Sequence, residues 1–259
     1  MRWTARQHAM LSEMGVRLWA PASESTGEAD RVPPAAEPTP SRSAAVARAP
    51  VAIARLDSQH AETPPGIETM DWPALRDAVA ACTACGLCRG RTRTVFGVGN
   101  LRARWMIVGE APGEREDLTG EPFVGKAGEL LDSMLRALQL TRGEDTPARQ
   151  VYIANTLKCR PPANRNPAPG ELAQCEPFLV RQIELIQPAI ILAMGRFAVQ
   201  ALLRSTEPIG RLRGREHRYH GVPLVVTYHP AYLLRNLPDK ARAWDDLCDA
   251  LELSHAVRV

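Results

Sequence analysis

The 259-residue sequence predicts an α/β fold of three layers, in which helices cover both faces of a four-stranded parallel sheet. Four short apolar runs lack polar alternation, as expected of strands that are buried on both faces. Each run is followed by a loop and a helical pattern, the order of elements that produces a parallel sheet. The runs lie at residues 105–109, 151–155, 189–195 and 224–228.

The helical patterns occupy the intervals before, between and after these strands. They lie at residues 71–81, 126–140, 170–186, 196–204 and 240–253. In open parallel sheets, ligands bind outside the carboxyl ends of the strands. The residues directly after each predicted strand are therefore the first candidates for a functional site.

Composition divides the chain into a folded domain and a disordered N-terminal extension. Residues 68–259 form the predicted domain, whereas residues 20–67 are rich in Ala, Pro, Ser and Glu and predict a disordered linker. Residues 1–19 carry apolar residues at helical spacing and end in Leu18 and Trp19, which predicts a short amphipathic segment.

Composition also excludes several classes of protein. No apolar run approaches the roughly 20 residues that span a bilayer, and the N-terminus lacks a secretory signal, so we expect a cytoplasmic protein. Six cysteines in such a chain indicate metal or redox chemistry rather than disulfides. Only three of the 32 basic residues are lysines; the abundant arginines suit phosphate contacts but equally fit a codon bias.

Polar side chains lie at the ends of three predicted strands. Glu110 follows the first strand, Asn155 ends the second and His229 follows the fourth, with Phe123 in a Gly-rich segment after the first. A single Asn or His at such a position is most often a cap. Three of them on one predicted rim, two beside Pro-rich loops, indicate a site.

Three segments resemble the motifs of the family 4 uracil-DNA glycosylases, the iron–sulfur members of that superfamily. They are GEAPGEREDLTGEPFVGKAGELL (109–131), NTLKCRPPANRNP (155–167) and HPAYLLR (229–235). The similarity runs from about Met70 to the last predicted helix and does not include residues 1–67. It implies an enzyme of base excision repair that flips uracil out of DNA, hydrolyses its N-glycosidic bond and leaves an abasic site. It also favours a monomer.

The resemblance assigns roles around the flipped base. Phe123 would stack on uracil, Asn155 would read its Watson–Crick edge, and a neutral His229 would donate to O2 as negative charge develops there. The turn that contains Gly109 and Ala111 would supply backbone N–H groups and shape the pocket.

Two acidic residues, Glu110 and Glu116, each have two alternative roles. Glu110 could position the attacking water or stabilise the sugar cation, and both roles stay open. Other branches of the superfamily place an Asp near position 111, where this chain has Ala111. Glu116 is a further pocket candidate, with an ordinary exposed acid as the alternative.

A second set of residues suits a metal centre. A tetrathiolate with these spacings can hold either Zn²⁺ or a [4Fe–4S] cluster, and the family resemblance implies [4Fe–4S]. Cys88 aligns with a position that is not a ligand, and Cys248 is predicted to be a core thiol. The predicted ligands are Cys82, Cys85, Cys159 and Cys175.

The motif after the fourth strand suggests contacts with DNA. Leu233 and Leu234 resemble a loop that wedges into the base stack, and Arg235 would bind a phosphate. The alternative is that one of the leucines covers the core. His217 and His220 belong to a predicted polar hairpin that leads into the fourth strand, so they are not assigned to catalysis.

Three other functions fit the sequence less well. A cross-linking relative carries a His-containing insertion after the second motif, whereas residues 159–166 contain no His. A non-catalytic iron–sulfur DNA-binding protein would not need Phe123, Asn155 and His229 together. A zinc-ribbon or thioredoxin-like function would leave the residues at the strand ends unexplained.

The N-terminal segment predicts a separate role. Residues 4–19 resemble, over a short length, the N-terminal peptide with which the psi subunit of the bacterial clamp loader binds its partner. The sequence therefore suggests contact with the replication clamp loader at the bacterial nucleoid, through a tethered peptide. The alternatives are that this segment packs on the domain or has no function.

Overall fold

The computed structural model describes residues 63–256, together with Glu13. Six strands in this range form one sheet of order β1-β3-β2-β4-β6-β5. The strands are β1 Val98–Gly99, β2 Trp105–Gly109, β3 Val151–Asn155, β4 Ile190–Met194, β5 His217–Tyr219 and β6 Val222–Thr227.

The centre of the sheet is the predicted set of four parallel strands. β2 pairs with β3 and β4, and β4 pairs with β6, all in parallel. The register sets Gly109 opposite Asn155, so the carboxyl ends of β2 and β3 coincide. The four strands lie within two residues of the bounds that the sequence predicts.

Helices follow the strands as expected of this class of fold. The five helical patterns of the sequence become α1, α3, α4, α5 and α8, each within three residues of the predicted bounds. The helices are α1 Trp72–Ala81, α2 Glu114–Thr119, α3 Lys126–Ala137, α4 Pro169–Ile186, α5 Arg196–Leu203, α6 Ile209–Leu212, α7 Pro230–Leu233 and α8 Asp239–Ala256.

Two cores lie on opposite faces of the sheet, because successive strand residues point to opposite sides. Ile107 and Leu192 face a core that contains residues of α3 and α8. Met106 and Val108 face a core that contains residues of α4 and α5. The prediction of a three-layer α/β/α arrangement is confirmed.

Two short antiparallel strands extend the predicted four-stranded sheet to six. β5 and β6 form the polar hairpin that the sequence predicts before the last parallel strand. β1 pairs with β3 at the other edge and was not predicted. It comprises only two half-buried residues, too few to produce an apolar or alternating pattern.

A third apolar cluster attaches α1 to α4 and includes Ile67, which is buried. The hydroxyl of Thr63 donates to the backbone oxygen of Gln174 in α4. The predicted linker up to residue 62 and the predicted segment 1–19 lie outside the described residues, apart from Glu13. No helix among the residues searched is long and apolar enough to cross a membrane.

Candidate active site

A cavity of about 750 Å³ opens at the carboxyl end of the parallel strands. The strand-end rule predicts this position. Most of the predicted pocket residues line the cavity, although they are separated by up to 125 positions in the sequence. The predicted residues in its wall are Glu110, Ala111, Glu116, Phe123, Asn155, His229 and Arg235.

Phe123 forms an aromatic wall of this cavity. Its ring stacks on the imidazole of His229, with ring centroids 5.1 Å apart and an interplanar angle of 20°. The residue is only 5% exposed. Its φ of 54° lies in the left-handed region, which a bulky side chain rarely adopts.

Gly109 lies beneath the wall rather than in it, because it is fully buried and does not line the cavity. A Cβ atom at this position would lie 2.5 Å from Oδ1 of Asn155 and 2.6 Å from Cζ of Phe123. The absence of a side chain at residue 109 therefore allows the amide and the aromatic ring to approach the strand end together.

Asn155 presents an amide that is 2% exposed at the end of β3. Its Nδ2 has no hydrogen-bond partner among the residues that the structure describes. A buried donor without a partner costs about 1–3 kcal/mol. This unpaired amide next to a cavity therefore indicates a ligand that supplies an acceptor.

His229 is the residue immediately before α7, and its position determines its tautomer. Nδ1 accepts the backbone N–H of Ala231 at 3.1 Å, so the proton of a neutral ring resides on Nε2. Burial lowers the pKa of His229 to about 4, and the positive charge of Arg235 acts in the same direction. The imidazole is therefore neutral at physiological pH, with one N–H to donate.

Glu110 is half-buried in the turn after β2. Burial raises the pKa of its carboxyl to about 7, while the nearby positive charge of Arg196 opposes this change. The backbone oxygen of Glu110 accepts from the Thr156 hydroxyl at 2.5 Å and from the Leu157 N–H at 3.1 Å. The carboxyl group therefore gains or loses its proton near neutral pH, while these hydrogen bonds hold the backbone of Glu110 in place.

Glu116 lines the cavity and also has a local structural contact. Its Oε1 accepts the backbone N–H of Val124 at 3.0 Å, directly after Phe123. The next residue, Asp117, is buried and accepts the backbone N–H of Thr92 at 2.9 Å. The sequence does not predict either contact, because both join residues whose proximity depends on the fold.

The prediction that Leu233 wedges into DNA is wrong, because this side chain is fully buried in the core beneath α7. Consecutive helical residues point about 100° apart, and the next residue, Leu234, is 41% exposed. Arg235 is exposed and lines the cavity. The alternative that one leucine covers the core is correct for Leu233.

The two histidines that the sequence analysis set aside lie outside the cavity wall. The Nε2 of His217 lies 2.8 Å from the backbone oxygen of Leu212, within hydrogen-bonding distance. His220 is exposed in the turn between β5 and β6, with a φ of 47°.

Arg196 lines the cavity and was missed by the sequence analysis. It follows Gly195 at the carboxyl end of β4, which corresponds to the third predicted strand. Gly195 has a φ of 93°, and a Cβ there would lie 2.9 Å from Cβ of His229. The same strand-end rule could have found both residues.

The predicted cysteine ligands line a second, smaller cavity, and Cys88 lines it as well. Burial raises the pKa of Cys175 to about 12, and it also raises the pKa of Cys85 and Cys159. The free thiols of these three residues are therefore neutral, and a metal centre would have to displace their protons. Cys248 packs partly buried against the core from α8, as predicted.

Two basic side chains approach these sulfurs. Arg91 Nη1 donates to Sγ of Cys159 at 3.1 Å. Lys158 is 1% exposed and forms no ion pair with any carboxylate in residues 63–256. Burial lowers the pKa of its ammonium to about 8, and the side chains of Cys175 and Cys159 oppose this shift. Buried positive charge beside thiols fits a centre with thiolate ligands.

No group of three or more Cys, His, Asp or Glu side chains among the described residues stands in an arrangement that could hold a metal ion. The five cysteines that line the second cavity nevertheless share this one space.

Residues 96–248 match the family model of the uracil DNA glycosylase superfamily. This match extends over more than half of the chain and includes β2 to β6 with every predicted pocket residue. The chain belongs to this superfamily.

Relatives specify the branch. A type-4 uracil-DNA glycosylase of Thermotoga maritima is 46% identical over 168 residues, 64% of this chain and 84% of that protein. One of Archaeoglobus fulgidus is 44% identical over 164 residues, 60% of this chain and 79% of that protein. A type-5 enzyme of Pyrobaculum aerophilum is 31% identical over 146 residues, 52% of this chain and 64% of that protein. The chain is therefore a member of the type-4 family.

Proposed function

We propose that this chain is a uracil-DNA glycosylase of base excision repair. It flips uracil out of DNA, hydrolyses the bond between the base and deoxyribose, and leaves an abasic site. The observation that carries this proposal is the unpaired amide of Asn155, buried in a cavity whose wall also contains Phe123 and a neutral His229.

Base recognition would use the amide and the aromatic ring. A flipped base enters a pocket where it can stack and be read at its Watson–Crick edge. The Asn155 amide can donate through Nδ2 to uracil O4 and accept from N3–H through Oδ1. Cytosine offers an amino donor and an unprotonated N3 at these positions, so it does not match this amide orientation. Phe123 would supply the stacking surface.

Bond cleavage would depend on His229 and Glu110. When the C1′–N1 bond breaks, its electron pair leaves with uracil and negative charge develops on O2. The Nε2–H of His229 would donate to this oxygen. Water then forms the new bond to C1′ and loses a proton, and the uracil anion gains a proton through solvent. Glu110 would position this water or stabilise the positive sugar.

Contacts outside the pocket would hold the flipped state. Leu234 is exposed beside the cavity and would fill the space that the base leaves in the stack. Arg235, at the cavity wall, would contact a phosphate. Leu233 has no part in this contact.

The thiol-lined cavity would hold a [4Fe–4S] cluster on Cys82, Cys85, Cys159 and Cys175. The cluster would connect the segment after α1 to the loop after β3 and would supply no redox step to base removal. The positive charges of Arg91 and Lys158 would balance the thiolates. Zn²⁺ is the competing occupant.

Metal analysis of protein purified without oxygen distinguishes these occupants. We expect iron, acid-labile sulfide and visible absorbance, all lost when any of the four proposed ligands is replaced by Ser. Cys88→Ser is the matched control, because it changes a thiol of the same cavity and should retain iron. Zinc without iron would overturn the cluster, and iron loss in Cys88→Ser would overturn the ligand assignment.

Activity is tested with oligonucleotides that contain a single uracil, in single- and double-stranded form. Strand cleavage by alkali after incubation reports abasic sites. We expect product from uracil-containing DNA and none from matched thymine or cytosine strands. Absence of product from all of them, with iron-loaded folded protein, would refute the proposed activity.

The sequence features outside the described residues complete the proposal. The enzyme would act as a monomer in the cytoplasm, at the nucleoid, with residues 68–259 as its catalytic domain. Residues 4–19 would bind the clamp loader through the Leu18 and Trp19 side chains, at the end of the Pro/Ala-rich linker 20–67.

A further inference from the structure

The Phe123 backbone requires support from outside its own segment. Its φ of 54° places a bulky residue in the left-handed region, where conformations cost energy and persist only if surrounding contacts fix them. The ring nevertheless has one defined position, stacked on His229. Some other part of the protein must therefore hold the backbone at this residue.

Arg142 supplies this support from the loop after α3. Its Nη1 donates to the backbone oxygens of both Pro122 and Phe123, each at 3.1 Å. Its Nε donates to Oδ1 of Asp132 in α3 at 2.6 Å. One guanidinium thus joins a helix to two successive carbonyl groups.

The space around this contact is tightly packed. A Cβ added to Gly128, in the first turn of α3, would lie 1.8 Å from the Phe123 backbone oxygen. From another direction, Glu116 accepts the N–H of Val124. The segment 122–124 is therefore fixed at three backbone atoms by two side chains.

We propose that Arg142 is a positioning residue for base excision: it holds Phe123 in the left-handed conformation that forms the stacking wall, and Asp132 orients it. This inference rests on the proposed function, in which Phe123 stacks on the flipped base. Arg142 itself does not line the cavity. It acts through the backbone of the residue that does.

A role in binding DNA phosphate would make different demands on this side chain. The Arg142 side chain is 20% exposed, and two of its three nitrogens already donate to protein oxygens. A phosphate contact requires mainly positive charge, which Lys also provides, whereas two carbonyls and a carboxylate require the planar guanidinium. Lys substitution therefore separates the two roles.

The test compares Arg142→Gln, Arg142→Lys and Asp132→Ala with wild type. The control is Arg149→Gln, which removes the same charge from the same loop; Arg149 contacts the Gln139 backbone and Asp145 instead. We expect Arg142→Gln to slow single-turnover uracil excision about tenfold or more. Arg142→Lys should remain clearly impaired, Asp132→Ala should show a smaller loss, and Arg149→Gln should match wild type.

Two further measurements identify the route of the effect. Arg142→Gln should weaken binding of DNA with a non-hydrolysable uracil nucleotide more than binding of abasic-site DNA, because only the former presents a base to stack. In the Phe123→Ala background, Arg142→Gln should slow excision by less than twofold, since the effects of residues that act through one group are not additive.

The outcomes separate this inference from the proposed function. If wild type releases no uracil, the proposed function fails. If wild type is active and Arg142→Gln is equally fast, or its loss is fully additive with Phe123→Ala, only the positioning role fails. Full activity of Arg142→Lys would indicate a charge contact and would likewise overturn it. If Arg142→Gln does not fold, Arg142→Lys and Asp132→Ala provide the same comparison.

Discussion

His229 is the residue whose state the structure defines most completely. The Ala231 N–H determines the tautomer, and burial keeps the ring neutral. His229→Ala should lower the single-turnover excision rate about 100-fold or more, because it removes a donor that acts mainly in the transition state, while affinity for DNA stays near that of wild type. His217→Ala, which removes an imidazole outside the cavity wall, is the control. Near-normal turnover of His229→Ala would exclude the residue from the mechanism.

Glu110 should determine the pH dependence of excision. Its pKa of about 7 means that the carboxylate form increases as pH rises through neutrality, whereas His229, with a pKa of about 4, stays neutral above pH 5. We expect the excision rate of wild type to fall as pH decreases through about 7. The profile of Glu110→Gln should be slow and flat between pH 5 and 8. If the excision rate of Glu110→Gln still falls as pH decreases through about 7, another group causes this pH dependence.

Gly109 tests whether the approach of the amide and the aromatic ring matters. A Cβ there would collide with both Asn155 and Phe123, so Gly109→Ala should slow excision about 100-fold through misplacement of both groups. Gly170→Ala is the control, since a Cβ in that helix would meet no atom within 4 Å. Equal rates for the two variants would show that the pocket tolerates the displacement.

At the scale of single residues, the sequence predicts which residues belong to the site better than it predicts which atoms those residues contact. Asn155 and His229 could be found because a strand end places them by a general rule. Leu233 and Leu234 could not be distinguished, because the orientation of a four-residue helix depends on its docking. The contacts of Arg142 depend on carbonyl groups of the segment before α3, and no spacing or residue type predicts that pairing.

At the scale of elements, α8 is joined to the segment before β5 by a buried ion pair. Arg213 Nε and Nη2 donate to the two oxygens of Asp246 at 2.7 and 2.8 Å, and these side chains are 13% and 2% exposed. Asp246→Ala should destabilise the fold by about 3 kcal/mol, because it leaves a largely buried guanidinium without its carboxylate partner.

The exposed pair Lys126–Glu129 provides the control for this prediction. Glu129→Ala should change stability by less than about 0.5 kcal/mol, as expected of a surface ion pair. Chemical denaturation of both variants gives the comparison. Equal stability of Asp246→Ala and wild type would show that water or another side chain replaces the carboxylate.

The sequence predicts whether a segment is a helix or a strand where burial imposes an apolar pattern over several residues. The β2 and β3 bounds match the predicted ones because every residue of both strands is buried, and all but the terminal Gly109 and Asn155 are apolar. The sequence does not predict the short elements β1, α2, α6 and α7, since two to six residues contain too little periodicity to detect. Their existence depends on tertiary partners, such as the pairing of β1 with β3.

At the scale of the whole domain, one stretch of chain joins both cavities. Asn155 ends β3 in the proposed uracil pocket, and Cys159 lies in the thiol cavity four residues later. Between them, the buried Lys158 donates from Nζ to the Asn155 backbone oxygen at 3.0 Å and from its N–H to Sγ of Cys175 at 3.3 Å. A proposed metal site with no part in the chemistry is thereby connected to the residue that would read the base.

The described domain also allows the N-terminal proposal to be tested separately from catalysis. The two cavities described above and the four apolar clusters of the described chain consist of residues from 67 onward, and Thr63 still contacts α4. Deletion of residues 1–60 should therefore leave uracil excision and the melting temperature unchanged. We expect the full-length protein to capture purified clamp loader and the truncated protein to lose this binding. The double substitution Leu18→Ala and Trp19→Ala in the full-length protein should also abolish capture, whereas Leu234→Ala should not. If the truncated protein excises uracil more slowly or melts at a clearly lower temperature, the segment belongs to the catalytic domain and the docking role fails. If the truncated protein still captures the clamp loader, the binding site lies elsewhere.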